Sequence, residues 1–200
     1  MTRIKKDKEK IVSEWQWIYQ NYNHFDSIVD VKSPLITSSV IGYNTGHMKP
    51  SNYLEVYNKI IENEQYSIYL YDESLISFYY NFDASGRMVG HNLLYIPSPI
   101  DESGKSSEEI AYSKFLRVDF DQKGYQNVIH TQVHLHMSIY KTEFRVPMAH
   151  YLSPKEFLYI VLKYMYHSQE DFVDKLLTNS EHTTLLNEDE LTKLRILFGK

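Results

Sequence analysis

A short stretch of the chain, "HTQVHLHM" at residues 130–137, is unusually rich in histidine. It contains His130, His134 and His136, three of the nine histidines in the sequence. Imidazole titrates close to neutral pH and is also a common metal ligand. The stretch is therefore a candidate site for acid–base catalysis or for metal binding.

Two segments around these histidines alternate apolar and polar residues, which predicts β-strands at 113–121 and 131–140. Because alternate side chains point to opposite faces, each strand has one polar face. Consecutive strands with a short connection are expected to pair directly. We therefore expect their polar faces to coincide and to bring together Arg117, Asp119, His134 and His136, with Arg145 capping the same surface.

Three interpretations of this polar face remain open. The first is that it is the solvent side of a half-buried antiparallel sheet. The second is a divalent metal site with His134, His136 and Asp119 as ligands and His130 as an optional fourth ligand, because two imidazoles and a carboxylate leave open positions on the ion.

The third interpretation needs no metal or other cofactor. One histidine acts as general base and another as general acid, while Asp119 orients one of them. Arg117 and Arg145 stabilise the charge on a phosphate in the transition state. Such a set of groups can cleave RNA through its own 2′-hydroxyl.

Composition excludes several other classes of protein. The chain has no cysteine, so disulfides, thiolate catalysis and zinc fingers are excluded. The formal net charge of −5 argues against broad, salt-driven binding to duplex DNA. There is no secretory signal and no apolar run long enough to span a membrane, so we expect a soluble, cytoplasmic protein.

The order of the remaining patterns predicts an α+β fold. About five strands between residues 66 and 140 form a mostly antiparallel, meandering sheet, flanked by N-terminal and C-terminal helices. Residues 22–50 and 98–109 are predicted as loops. Residues 1–64 form an N-terminal helical segment, 65–167 an α+β core and 168–200 a C-terminal helical segment, together making one compact domain.

The last part of the predicted core carries a clear helix signal. Ser153 is the predicted N-cap, Pro154 the first helical residue and Glu156 the partner that completes a capping box. Apolar residues nearly encircle the helix that follows, so we expect it to be largely buried.

The chain also resembles a known family. The order "FLRVDFD", "HTQVHLHM", "FRVP" and "LSPKEFLYIVLKYMY", preceded by "SFYYNFDASGRMVGHNLLYIPSP", is similar to the uncharacterised prokaryotic family called domain of unknown function 2290. The match is expected over roughly residues 65–167, and no activity comes with it. A more distant resemblance is to the TumE family of toxin proteins, presumed ribonucleases, in which Arg117, Asp119, His130, His134 and His136 occupy matching positions.

These observations lead to two hypotheses about function. In the first, the protein is a cytoplasmic component of a prokaryotic defence or toxin-type system and a ribonuclease-like phosphodiesterase that cleaves RNA at the Arg117/Asp119/His134/His136 face. In the second, it is a non-catalytic subunit that docks on a larger ATPase or nuclease partner, because tyrosines and an apolar helix suit a large interface. A protein partner, such as a defence-complex subunit or an antitoxin, is expected in either case.

Overall fold

The computed structural model describes residues 7–32, 50–100, 108–121, 131–137, 144–168, 171–177 and 188–192. These residues contain one open sheet of seven strands in the order β1-β2-β3-β4-β5-β6-β7. Each strand therefore pairs with the next one along the chain, and every pair is antiparallel. The strands are β1 (Ile28–Val31), β2 (Ile68–Leu70), β3 (Leu75–Phe82), β4 (Met88–Ile96), β5 (Leu116–Asp121), β6 (Val133–Met137) and β7 (Phe144–Pro147).

Helices precede, interrupt and follow this sheet. They include α1 (Asp7–Asn21), α2 (Tyr53–Glu62), α3 (Glu108–Lys114), α4 (Pro154–Ile160) and α5 (Asp171–Asp174), with 3₁₀ turns at Tyr22–His24 and Pro50–Asn52 and a π-helical turn at Val161–Met165. The predicted α+β class and the antiparallel meander are confirmed, but the sheet has seven strands rather than about five. Among the described residues, no helix has the length and apolar content that crossing a bilayer requires.

The two faces of the sheet are covered by different helices. On one face, Trp15 of α1 and Phe157 of α4 lie edge-on to Phe78 of β3, at ring-centroid distances of 5.3 and 5.9 Å. On the other face, residues of α2 and α3 form a second apolar cluster that includes Leu94 of β4. We refer to these as the α1/α4 face and the α2/α3 face.

Helix α4 begins as its sequence predicts. The Ser153 side chain accepts a hydrogen bond from the Glu156 amide, and the Glu156 carboxylate accepts one from the Ser153 amide, which is a complete capping box. Pro154, Phe157 and Leu158 are buried, as are the first two residues of the π-helical turn. The apolar surface of this helix therefore packs into the core of the molecule.

The connection between β3 and β4 is a tight turn stabilised by one aspartate. The Asp83 carboxylate accepts hydrogen bonds from the Ser85 amide at 2.8 Å and from the Arg87 amide at 3.0 Å. Gly86 has a φ of 81°, a conformation that residues with a Cβ rarely adopt. The sequence Asp-Ala-Ser-Gly therefore specifies where this hairpin turns.

Three elements were not predicted. β1 lies in the predicted loop 22–50, and α3 begins inside the predicted loop 98–109 and occupies the start of the predicted strand 113–121. β7 is short and ends at Pro147, a residue that cannot donate to a sheet ladder and is tolerated at the end of an edge strand. Residues 33–49, 101–107 and 138–140 of the predicted elements lie outside the described residues.

Candidate functional site

The pairing of β5 with β6 positions the candidate site on the α2/α3 face. Arg117 lies directly opposite His136, and Asp119 lies directly opposite His134. Residues opposite each other in an antiparallel pair have their side chains on the same face of the sheet. The structure thus brings together the four side chains that alternation in the sequence placed on the polar faces of these strands.

The carboxylate of Asp119 is the common neighbour in this group. Its Oδ2 atom lies 3.0 Å from Arg117 Nε, 3.1 Å from His136 Nε2 and 3.8 Å from His134 Nε2. Its Oδ1 atom accepts a hydrogen bond from the side-chain amide of Asn92 on β4. Burial raises the pKa of Asp119, but contacts with His136, Arg117 and Asn92 favour the charged form more strongly and lower the pKa to about 2. The carboxylate is therefore ionised at neutral pH.

The imidazole of His136 lies between a carboxylate and a guanidinium. Arg117 Nη2 is 3.2 Å from its Nδ1 and 3.0 Å from its Nε2. A carboxylate can only accept, so a hydrogen bond to Asp119 requires the proton on Nε2 and leaves Nδ1 to accept from Arg117. This tautomer gives each nitrogen of the His136 ring a partner.

His134 has a different tautomer, set by the backbone. Its Nδ1 lies 2.9 Å from the carbonyl oxygen of Thr131, which can only accept, so Nδ1 must carry the proton of the neutral ring. The lone pair is then on Nε2, the nitrogen nearer to Asp119. The rings of His134 and His136 pack edge-on at a centroid distance of 4.7 Å.

Burial separates this group from an ordinary solvent-facing sheet surface. His134 is 2% exposed and His136 is 4% exposed. The side chains of Arg117 and Asp119 are 14% and 19% exposed, so they provide the open side of the group. The interpretation as a solvent face is wrong for the two imidazoles, which lie inside the protein.

The guanidinium of Arg117 is not fully satisfied. Its Nε is within 3.0 Å of Asp119 Oδ2, yet among the described residues this buried nitrogen has no hydrogen-bond partner in acceptable geometry. The ion pair is close but poorly aligned, and an aligned pair would stabilise the charge more strongly.

Of the two remaining residues of the predicted site, Arg145 is among the described residues and His130 is not. Arg145 lies opposite His136 on β7, and its side chain is exposed. His130 lies outside the described residues, so its predicted place as an optional metal ligand stays a prediction.

Sequence reasoning missed Asn92 and the cleft beside it. The cleft has a volume of about 460 Å³ and is lined by residues of β3, β4 and β5, including Tyr79, Asn81, Asn92 and Asp121. The volume lies in the usual range for sites that bind small molecules. Asn92 was recognisable only as a polar residue in an apolar strand, and its role depends on the pairing of Asn92 with Asp119.

Three side chains of this group can supply ligands to a metal ion. Asp119, His134 and His136 each offer one ligand atom, and these atoms lie within 4.8 Å of one another. The positive charge of Arg117 at the same place opposes a cation, so the group combines a donor set for a metal with an arginine that competes with it.

The fold and the site define the protein as an α+β protein whose open antiparallel sheet carries an Asp–His–His–Arg group with buried imidazoles. The chain belongs to the family described as "Uncharacterized conserved protein (DUF2290)", whose model matches residues 20–197. The match extends well beyond the expected 65–167 on both sides. No curated protein and no solved structure matches the chain, so the resemblance to the TumE family is not confirmed.

Proposed function

We propose that this protein cleaves phosphodiester bonds in RNA, as a component of a prokaryotic defence or toxin-type system. The observation that carries the proposal is the contact of one guanidinium with both members of a carboxylate–imidazole pair. Arg117 lies 3.0 Å from Asp119 and within 3.2 Å of both ring nitrogens of His136. Arg117, which can bind a phosphate, therefore lies in contact with Asp119 and His136, which together can activate an attacking oxygen.

Arginine supplies the charge that phosphoryl chemistry requires. Its planar fork binds phosphate oxygens through two parallel hydrogen bonds, and it remains charged at any physiological pH. A preorganised cation in a water-poor site stabilises the charge that develops on the phosphate in the transition state. Arg117 is partly exposed on the open side of the group, where a phosphate can reach it.

Two ways of activating the attacking 2′-hydroxyl fit the remaining side chains. In one, an imidazole oriented by Asp119 accepts the hydroxyl proton, while the other imidazole, which must enter the reaction in its protonated form, gives its extra proton to the leaving 5′-oxygen. In the other, Asp119, His134 and His136 would hold a divalent cation, which would lower the pKa of the attacking hydroxyl. In both, the cleft lined by Asn92, whose side-chain amide bonds Asp119, provides space for part of the substrate.

The test is cleavage of single-stranded RNA by purified protein, compared with two variants and their controls. His136→Ala and Arg117→Ala should each lower the rate at least about 100-fold, the size expected for loss of a catalytic or charge-stabilising group. His24→Ala and Arg87→Ala are matched controls on exposed residues and should leave the rate unchanged. Cleavage at the wild-type rate by either of the first two variants would overturn the proposal.

A parallel reaction in EDTA separates the two modes of activation. Cleavage that continues in EDTA assigns the chemistry to the imidazoles. Cleavage that stops in EDTA and returns with Zn²⁺ or Mn²⁺ assigns it to a bound ion.

A second candidate function is a non-catalytic subunit that docks on a larger ATPase or nuclease. The apolar helix on which this hypothesis was based is α4, which packs into the core. The aromatic side chains of Tyr71 and Tyr164, however, are each 63% exposed. Exposed tyrosines are common at protein interfaces. Light scattering after size exclusion, alone and with the products of neighbouring genes, tests this candidate. A monomer that binds none of them would count against it.

A further inference from the structure

Ligand atoms of three side chains lie close together at the candidate site, all within 4.8 Å of one another. Asp119 Oδ2 lies 3.1 Å from His136 Nε2 and 3.8 Å from His134 Nε2. Bonds of about 2.0–2.2 Å in a tetrahedral zinc site separate neighbouring ligand atoms by about 3.3–3.6 Å. The two separations from Asp119 fall on either side of this range. We infer that this centre binds one divalent transition-metal ion, Zn²⁺ in preference to others, through Asp119, His134 and His136.

The groups around the ligands support this assignment. A metal-bound histidine usually donates its other ring N–H to a carbonyl or carboxylate, which fixes the ring and its tautomer. His134 shows this arrangement, because Nδ1 faces the Thr131 carbonyl and the lone pair remains on Nε2. Asn92 holds the second oxygen of Asp119 in the same way, so that Oδ2 faces the histidines. Two of the three ligands are therefore held in place by neighbours that would not bind the ion themselves.

The burial of the imidazoles also fits ligands better than proton carriers. A general acid or base must reach its substrate, whereas a ligand must reach only the ion. His134 and His136 are 2% and 4% exposed, while Asp119 is the more open member of the group. An ion held by the buried nitrogens would thus have its free positions on the side of Asp119. The two nitrogen donors exclude Mg²⁺ and Ca²⁺ as preferred ions, because both take oxygen ligands.

Arg117 is the group that opposes the ion. Its Nη2 lies 3.0 Å from His136 Nε2 and its Nε 3.0 Å from Asp119 Oδ2, so the guanidinium occupies part of the space around the ligand atoms. A bound cation requires Arg117 to move away from the ligand atoms and the proton of His136 to move from Nε2 to Nδ1. The poorly aligned contact of Arg117 with Asp119 lowers the cost of the first movement. Arg117 therefore weakens metal binding, and its removal should strengthen it.

Binding itself does not depend on the proposed function, although any catalytic role of the ion rests on it. The test is calorimetric titration of chelator-treated full-length protein with Zn²⁺. One equivalent should bind, and Asp119→Asn and His134→Gln should each weaken that binding by more than about 100-fold, beyond the loss typical of residues that only support a ligand. Bound Co²⁺ should give a visible absorption spectrum that both variants lose. His24→Gln should bind as the wild type does, and Mg²⁺ should not bind.

Arg117→Met gives an independent test, because it keeps all three ligands and should bind Zn²⁺ at least about tenfold more tightly as a repelling charge is removed. Absence of Zn²⁺ binding in both the wild type and Arg117→Met would overturn the inference. So would binding that Asp119→Asn and His134→Gln leave intact, since the ion would then lie elsewhere. Stoichiometric binding without RNA cleavage would contradict only the proposed function, and cleavage in EDTA by a protein that binds no Zn²⁺ would contradict only the metal site.

Discussion

The imidazole of His91 accepts a hydrogen bond from the backbone amide of Leu152, at 3.3 Å from Nε2. Its Nδ1 lies 3.2 Å from the carbonyl oxygen of Val118 and donates to it. One neutral tautomer satisfies both contacts, and the ring joins β4 to the segment just before α4. His91 is therefore a structural residue on the α1/α4 face rather than a member of the site.

This arrangement makes stability depend on pH. Burial lowers the pKa of His91 to about 4. Between about 6.5, the value for an unfolded chain, and about 4, the unfolded state binds a proton that the folded state does not. The free energy of unfolding should therefore fall as the pH falls through this window, by about 2 kcal/mol from pH 7.5 to pH 5 for this residue. Urea unfolding at the two pH values measures it.

His91→Phe isolates the contribution of His91 from that of the other histidines. The variant should be less stable than the wild type at pH 7.5, because the Leu152 amide and the Val118 carbonyl lose their partner. Its stability should nevertheless change less between pH 7.5 and pH 5. Equal pH dependence in the two proteins would show that His91 takes up its proton freely in the folded state.

Ser153→Ala should destabilise the protein by about 1 kcal/mol, through loss of the side chain that caps α4. Thermal unfolding of the variant beside the wild type measures the change. Ser85→Ala is a comparison outside any helix, at a hydroxyl that bonds Asp83 on the surface, and should cost less. A larger loss in Ser85→Ala would mean that the turn matters more than the cap.

Phe157→Ala should cost about 3–5 kcal/mol, because the ring is fully buried and packs edge-on against Phe78. Tyr164→Ala, on the π-helical turn that follows the same helix, should change stability by about 0.5 kcal/mol or less since its side chain is 63% exposed. Denaturant unfolding of both variants gives the comparison. Similar losses in the two would contradict the orientation of this helix.

Asn92→Ala should weaken Zn²⁺ binding by about 10–100-fold without changing the stoichiometry, because Asn92 orients the Asp119 carboxylate and is not itself a ligand. Asn81→Ala is the matched control, an amide on the neighbouring strand that also lines the cleft. Calorimetric titration of the two variants separates orientation of the ligand from a general effect of the cleft. Equal weakening of Zn²⁺ binding by both variants would contradict a specific role of Asn92 in orienting Asp119.

The central part of the fold could be predicted because its signals are local. Strand β3 lies within the region predicted to form strands, and α4 begins at the predicted Pro154, since strand propensity and a capping box each act within a few residues. β1 could not be predicted in this way, because four residues within a polar region give too short a pattern. β7 was missed for a related reason, as it is short and ends in proline.

For the site, too, features set within a strand could be predicted, whereas features set by distant parts of the chain could not. Arg117 and His136 could be placed together because their strands are consecutive and both alternate clearly. The burial of His134 and His136 could not be predicted, because it depends on what the rest of the chain packs over this face. The part played by Asn92 depends on the register between β4 and β5, which no pattern within either strand specifies.

Each strand of the sheet pairs with its successor along the chain, so the strand pairings join consecutive segments. Pairing across a short connection forms rapidly, because little chain entropy is lost before it forms. The β3–β4 hairpin has the shortest connection in the sheet apart from that between β2 and β3, and its turn is stabilised by Asp83 and Gly86. We expect this hairpin to form early and to provide the edge on which β5 and then β6 assemble, so that Asp119, His134 and His136 come together only after the turn between β3 and β4 has closed.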